Sequence, residues 1–467
     1  LFVGGVAALT GLIAVNWDQL LNDTLKSSET AGTAVAAIGP RMLLASTGSL
    51  ALAPGARVVV NGLSAVSGTV IAQLPHAGGP RFQIALDAGY SSVCDSFPSD
   101  ITLTTDAAST GVVGTVADGS SDVVIEFGPL SQLRLGAPVV LDTEDGALIY
   151  QVSSLRLRTT TWNGASAVVP HASARQLGLT SRGWITGVDY LPTPHQVVRD
   201  PGTLTDELPD GFCRIGRVKG TQIPVGIQRD HKLRGHVAIL GMSGMGKTAV
   251  ANRIASELGG HELMVALDLT GEYASRLGLP AWDDNLDSIG CSVYEPIGDP
   301  TLRAADLVKA VMLHAAGEFT GPGEPQPRNI LFEEAHSFIP EWNFATPNQR
   351  DNVNNTTRMI MQARKYGLRF IIVSQRTAVV SKSALSQCDS YIVFRTIDHT
   401  GLEYIESLAG TSFRDTLATL LKHEALCIGP AFNADRPVVV ELDAPALDIG
   451  VEEAALGGDA VVAKDQE

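Results

Sequence analysis

Cysteine is scarce in this chain. Its 467 residues hold five, Cys94, Cys213, Cys291, Cys388 and Cys427, scattered, odd in number and without any CxxC spacing. That distribution argues against a disulfide frame or a zinc site and for reduced, mostly buried thiols, as in a cytoplasmic protein. Basic residues are also in deficit: 34 Lys and Arg stand against 50 Asp and Glu, for a formal net charge of −16 and an isoelectric point near 5.1. Such a surface does not coat nucleic acid as a whole, although it leaves room for a local basic channel, acidic outside and basic inside. A membrane-spanning apolar run is missing too. The uncharged stretch Leu1–Val15 falls short of the roughly 18 to 20 residues that cross a bilayer and has no basic n-region like that of a signal peptide. A packed N-terminal segment is therefore expected rather than a membrane anchor. The chain opens on Leu1 and not on Met, as an upstream truncation or a non-ATG start read literally would leave it.

What is present points to two or three well-packed domains, given the length and an apolar content of 45%. The organising stretch is His236–Thr248, HVAILGMSGMGKT. Val237 to Leu240 read as a buried strand, and Gly241, Met242, Ser243, Gly244, Met245, Gly246, Lys247 and Thr248 fill the GxxxxGK[ST] template of a phosphate-binding loop, with Ala249 next in a helix-compatible stretch. Glycines let the backbone turn its N–H groups inward, where they and the helix N-terminus meet phosphate charge. Lys247 is the side chain expected on the β/γ-phosphates, and the Thr248 hydroxyl is the one expected on Mg²⁺. A chance match arises about once per hundred chains of this length, and the strand–loop–helix context lowers that further.

Upstream, from Thr33 to about Arg158, short β-branched runs broken by Gly, Pro and Asp predict a small all-β sandwich or barrel. Gly55, Ala56, Val58, Val59, Gly68 and Gln73 are echoed by Gly136, Ala137, Val139, Val140, Gly146 and Gln151, which suggests two related β-units or only the sameness of β-rich composition. Trp162–Gly178 reads as a helical stretch, and Thr193–Pro209 as an extended connection. Downstream, strand candidates Leu263–Leu267, Ile330–Phe332, Phe370–Ser374, Tyr391–Phe394, Ala425–Ile428 and Val438–Leu442 alternate with helical ones, the signature of an α/β fold with a parallel sheet. The expected organisation is an N-terminal segment (1–32), an all-β barrel-like region (33–192), a linker (193–211), a P-loop ATPase domain (212–442) and an acidic tail (443–467).

In NILFEEAHSF an apolar strand ends in Glu333 and Glu334. Opposite a phosphate loop, one such carboxylate holds the Mg²⁺ shell and its neighbour activates the attacking water. Position gives Glu333 the metal role, although glutamate replaces the usual aspartate there, and gives Glu334 the base role. Phe370–Ser374 delivers Gln375 to the carboxyl end of another strand, where it would sense the γ-phosphate.

Taken together, GMSGMGKT, DLTGEY (Asp268–Tyr273), ILFEEAH, QARKYG (Gln362–Gly367), IIVSQR (Ile371–Arg376) and SQCDSYIVFRT (Ser386–Thr396) resemble the HerA branch of the HerA/FtsK superfamily of DNA-pumping ATPases over about Phe212–Leu442. The resemblance implies a RecA-like P-loop ATPase domain preceded by a barrel of the HAS type, binding ATP and Mg²⁺. It implies a homo-hexamer around double-stranded DNA, with a nuclease or other effector docked on the ring, and Arg364 of QARKYG acting as an arginine finger in the neighbouring subunit's site. Thr377 after SQR, and Leu269 and Thr270 in DLTGEY, depart from the commoner Pro and Pro-His and leave the subfamily open. The alternatives are an ATPase scaffold that regulates an effector enzyme in an antiviral defence complex, and a protein-transport ATPase. Arg350, Arg358, Lys365, Arg369, Arg376 and Lys382 are candidate phosphate contacts for DNA.

Overall fold

The computed structural model describes residues 32–443, except 38–41, 47–51, 62–65, 75–80, 88–101, 107–110, 131, 163–164, 230–234, 319–325 and 411–412. The N-terminal apolar stretch, Cys94, most of the Gly/Pro-rich loop after residue 317 and the acidic tail past Asp443 lie outside the described residues. The chain divides into two compact units. The first comprises residues 1–134, 139–175 and 189–202, and the second 135–138, 176–188 and 203–467.

In the first unit, β1 (Gly32–Ala37), β2 (Met42–Ser46), β3 (Arg57–Asn61), β4 (Val66–Leu74), β5 (Arg81–Leu86) and β6 (Thr102–Asp106) close a barrel in the order β1-β2-β5-β4-β3-β6. A second set follows: β7 (Val112–Val116), β8 (Val124–Pro129), β9 (Pro138–Thr143), β10 (Gly146–Trp162), β11 (Ala165–Ser181) and β13 (Val197–Arg199), with β12 (Trp184–Thr186) paired to the end of β11. Their order is β10-β9-β13-β7-β8-β11, and a further β10–β11 pairing joins the ends. Followed around the ring, both sets run first, second, fifth, fourth, third, sixth. The sequence echo falls on equivalent places, leading into the third strand and along the fourth. Gly55 (φ 91) and Gly136 (φ 78) hold the same left-handed turn ahead of those third strands. The two sets thus share a strand order as well as the sequence echo.

Two sequence expectations fail in this region. Of Trp162–Gly178, Trp162 ends β10 and Ala165 to Gly178 lie in β11, where Ala172 stands opposite Phe127 and Ala174 opposite Ile125 of β8 in antiparallel register. The stretch read as a linker contains β13, which the second set needs between β7 and β9. Three residues of Val-Val-Arg between prolines are too short to register as a strand from pattern alone.

The second unit is built on a ten-stranded sheet of β14 (Phe212–Val218), β15 (Pro224–Gln228), β16 (His236–Leu240), β17 (Leu263–Leu267), β18 (Gly290–Tyr294), β19 (Arg328–Phe332), β20 (Leu368–Ser374), β21 (Cys388–Phe394), β22 (Glu424–Ile428) and β23 (Val438–Leu442). The order is β15-β14-β23-β22-β21-β16-β20-β19-β17-β18. The six strands from β21 to β18 are parallel, and the four beyond β21 are antiparallel. Every residue of β16, β17, β19 and β20 is buried, as a parallel sheet covered on both faces requires. The helix Pro300–Glu318 turns Ala304, Leu307, Val308, Val311, Met312 and Ala315 inward at helical spacing. The helix Pro347–Ala363 starts at a proline, with Gln349 reaching back to the Thr346 N–H at 3.1 Å. Among the described residues no helix is long and apolar enough to cross a membrane.

Candidate functional site

β16 ends at Leu240, and the chain turns through Gly241 (φ 137), Gly244 (φ 75) and Gly246 (φ 116) before the helix Lys247–Gly259 begins. At Gly241 a side chain would be excluded twice, by the backbone angle and by Phe394, which lies 2.6 Å from where a Cβ would sit. The Gly241 N–H donates to Ser374 O at 3.3 Å and the Met242 N–H to Arg395 O at 3.0 Å, which ties the loop to the carboxyl ends of β20 and β21. Lys247 is buried, and its Nζ donates to Met242 O at 3.0 Å. Burial lowers its pKa against the pull of Glu334 and Glu333.

Two strands along, β19 delivers the carboxylates. Glu333 is 4% exposed; Thr248 Oγ1 donates to its Oε1 at 3.3 Å and the Tyr273 hydroxyl to its Oε2 at 2.7 Å. Burial pushes the Glu333 pKa up to about 7, the Tyr273 and Thr248 hydrogen bonds opposing the rise and the Glu334 and Asp268 charges adding to it. Glu334 sits in the left-handed region (φ 54, ψ 54), uncommon for a residue with a Cβ. Burial disfavours its ionised form, but the neighbouring His336, the Lys247 charge and the Gln375 backbone N–H outweigh it and hold the carboxyl below its usual range. His336 Nδ1 lies 3.3 Å from Glu334 Oε2. One carboxylate is thus sequestered beside the loop hydroxyl, and its neighbour is kept charged.

Sequence reasoning overlooked how DLTGEY serves this site. Asp268 is fully buried; its Oδ1 accepts from the Thr270 N–H (2.7 Å) and hydroxyl (2.6 Å), and its Oδ2 from the Tyr273 N–H (3.0 Å). That turn seats Tyr273, 0% exposed, with its hydroxyl on Glu333. An Asp followed two residues later by Thr is an Asx-turn signal that was present in the sequence. For His336 no pattern announced a role.

Gln375 follows β20 at the same edge, its side chain exposed and its backbone on Glu334. Because β20 lies between β16 and β19, Gln375 is flanked by the phosphate loop and the carboxylates. Arg364 stands elsewhere. It pairs with Asp389, next to Cys388 at the amino end of β21, opposite His236 at the start of β16. Five residues of strand, about 16 Å at 3.3 Å each, separate that edge from the loop. Arg364 is half exposed and does not reach its own subunit's site. Of the basic residues singled out for DNA, Arg369 is excluded: it is 3% exposed and paired with Glu262 at 3.2 Å, also buried. Arg358, Lys365, Arg376 and Lys382 are exposed, and Arg350 lies 4.6 Å over the Trp342 ring.

The residues fit ATP and Mg²⁺. Left-handed glycines, a helix start and an ammonium resting on a backbone carbonyl make an anion cradle. A hydroxyl and a carboxylate oxygen 3.3 Å apart form the hard oxygen donor set that Mg²⁺ takes.

Fold and site together define a P-loop ATPase domain. Residues 213–382 match the family model described as Helicase HerA, central domain. Over 122 residues the chain is 26% identical to a protein named probable helicase MJ1565 from Methanocaldococcus jannaschii, covering 25% of this chain and 22% of that protein. Over 116 residues it is 29% identical to the DNA double-strand break repair helicase HerA of Pyrococcus furiosus, covering 24% of this chain and 20% of that protein. The matched region thus spans about a fifth of the length of these relatives. Among solved structures, the genome packaging NTPase B204 of Sulfolobus turreted icosahedral virus 2 is 19% identical with a TM-score of 0.35, over 45% of this chain and 98% of that one. Over residues 213–382 the chain is thus HerA-like.

Proposed function

We propose that this chain hydrolyses ATP with Mg²⁺ in a homo-hexameric ring and uses the energy to translocate double-stranded DNA, in the cytoplasm, with a nuclease or other effector bound. The observation that carries the reading is the convergence of Lys247, Thr248, Glu333 and Glu334 at the carboxyl edge of one parallel sheet. The insertion of β20 between the phosphate-loop strand and the carboxylate strand supports the RecA-like assignment, and the closed six-stranded barrel supports a HAS-type barrel in the N-terminal part. The domain boundaries we propose are those of the sequence, amended so that β13 belongs to the second β-unit.

In this reading Lys247 exchanges Met242 O for phosphate oxygen, a displacement favoured because burial makes its charge seek an anion. Thr248 and Glu333 would hold Mg²⁺, which would supply positive charge to the phosphates. Glu334, kept ionised and aimed by His336 and the Gln375 N–H, accepts the proton of the attacking water. Gln375 senses the γ-phosphate. Arg364, remote from its own loop, supplies its guanidinium to the next subunit.

The test is ATP turnover with and without duplex DNA across a salt series. Binding through phosphates releases counterions, so affinity falls steeply with salt and shows little sequence preference. Turnover stimulated by duplex DNA is expected. DNA-independent turnover with no DNA binding at low salt would shift the assignment to the scaffold reading.

A further inference from the structure

At the amino edge of the ten-stranded sheet, the edge away from the phosphate loop, one nitrogen and two oxygen donors meet. His314 and Glu318 stand at i and i+4 on the last turns of the helix Pro300–Glu318, so their side chains leave the same face. Asp287 arrives from the loop that leads into β18. His314 Nε2 lies 2.9 Å from Asp287 Oδ1 and 3.2 Å from Glu318 Oε1, and the three groups offer donor atoms within 4.8 Å of one another. The second oxygen of Glu318 is held from behind by Arg328 at 2.5 Å, a residue 4% exposed that opens β19.

A histidine ion pair alone does not account for this arrangement. Nε2 carries at most one hydrogen, which is aimed best at a single acceptor, yet two carboxylate oxygens crowd the same nitrogen. Their convergence sets like charges against each other, a repulsion that a divalent cation relieves. Ligands about 2.0–2.2 Å from a tetrahedral zinc stand roughly 3.3–3.5 Å from one another. The two distances at Nε2 fall short of that by a few tenths of an ångström at most, and Asp287 and Glu318 are exposed side chains able to shift as far. The donor set also selects the metal, because imidazole suits Zn²⁺ whereas Mg²⁺ and Ca²⁺ take oxygen. Arg328 does what an orienting partner does at a metal site, fixing which oxygen of Glu318 faces the ion.

We propose that Asp287, His314 and Glu318 form an exchangeable Zn²⁺ site, with one oxygen from each carboxylate, the imidazole nitrogen Nε2 and a water as its four ligands. The imidazole binds through the Nε2 lone pair, with its hydrogen on Nδ1. The ion joins the loop before β18, an outermost strand of the sheet, to the helix that follows that strand. The site is independent of the ATP reading, since it lies at the opposite end of β19 from Glu333 and Glu334.

The test is calorimetric titration of the metal-stripped full chain with Zn²⁺ in excess Mg²⁺, with thermal unfolding alongside. Wild type should bind Zn²⁺ at micromolar concentration and melt higher with it. His314→Ala and Asp287→Asn should each weaken that binding about tenfold or more, since losing a ligand costs at least what losing an orienting partner does, and should lose the rise in melting temperature. Asp287→Asn alters a side chain that is 73% exposed, so the fold is spared. Wild type that takes up no Zn²⁺ at micromolar concentration overturns the proposal. Equal Zn²⁺ affinity in wild type and both variants also overturns it, because the ion would then sit on a cysteine or the phosphate-loop carboxylates. Binding weakened in Asp287→Asn but not in His314→Ala overturns it as well, for the site would then lack its nitrogen.

Discussion

Glu333 in the protein without nucleotide is a charge kept where charge is disfavoured, and replacing it with Gln exposes the cost. Its folded pKa of about 7 stands above the 4.5 of an unburied glutamate. The folded state therefore holds the proton more tightly than the unfolded state does. Stability from this group is fully present below pH 4.5 and is lost as pH rises through 7. The gap of 2.5 units corresponds to roughly 3 kcal/mol at pH 8 and to about 1 kcal/mol at pH 5. Glu333→Gln keeps the shape, accepts from one of the two hydroxyls through its carbonyl oxygen, can donate its NH2 to the other hydroxyl oxygen, and carries no charge. It should therefore melt above wild type at pH 8, by several degrees at about 2–4 °C per kcal/mol for a unit of this size, and near wild type at pH 5. The assay is thermal unfolding in chelator at the two pH values. A variant that melts at or below wild type at pH 8 refutes the argument that Glu333 is strained by burial. The same variant should lose Mg²⁺-dependent stabilisation by ATP.

Tyr273→Phe strips the hydroxyl from Glu333 Oε2 and leaves a buried acceptor unpaired, so it should destabilise by about 1–3 kcal/mol at pH 8 in denaturant unfolding; an unchanged midpoint would contradict the role given to DLTGEY. Arg364→Ala should bind ATP normally and turn it over about 10³-fold or more slowly. Mixed with Lys247→Ala, itself nearly inactive, it should recover activity as intact loops meet intact arginines across interfaces. Mixed rings that stay at the parental level would argue that Arg364 does not act in trans. Light scattering at micromolar concentration should report a hexamer, and a fully active stable monomer would remove both the ring and the finger.

The sequence made the P-loop unit legible because its strands are continuous apolar runs and its candidate site residues follow those runs. Glu333, Glu334 and Gln375 follow strand ends directly, and Lys247 and Thr248 follow one after a single glycine-rich turn, so pattern and position coincide. The elements it concealed obey other physics. β11 read as a helix because small residues and Gln, Arg and His obscure its period-two alternation, and β13 is three residues whose identity as a strand depends wholly on β7 and β9. Tyr273 reaches Glu333 only through the tertiary turn at Asp268. Contacts of that range leave no spacing to read. Arg369 misled for a related reason, since its exposure was assumed from its charge while Glu262 waited in the interior to pair with it.

The central claim is that Lys247 holds the phosphates and Glu334 breaks the bond. One measurement separates the two: the nucleotide retained after rapid gel filtration of Mg-ATP with wild type, Lys247→Ala and Glu334→Gln. The account predicts ADP from wild type, intact ATP held by Glu334→Gln and almost nothing from Lys247→Ala. Glu334→Gln protein that releases ADP at the wild-type rate, or Lys247→Ala protein that retains ATP as well as wild type, would contradict it.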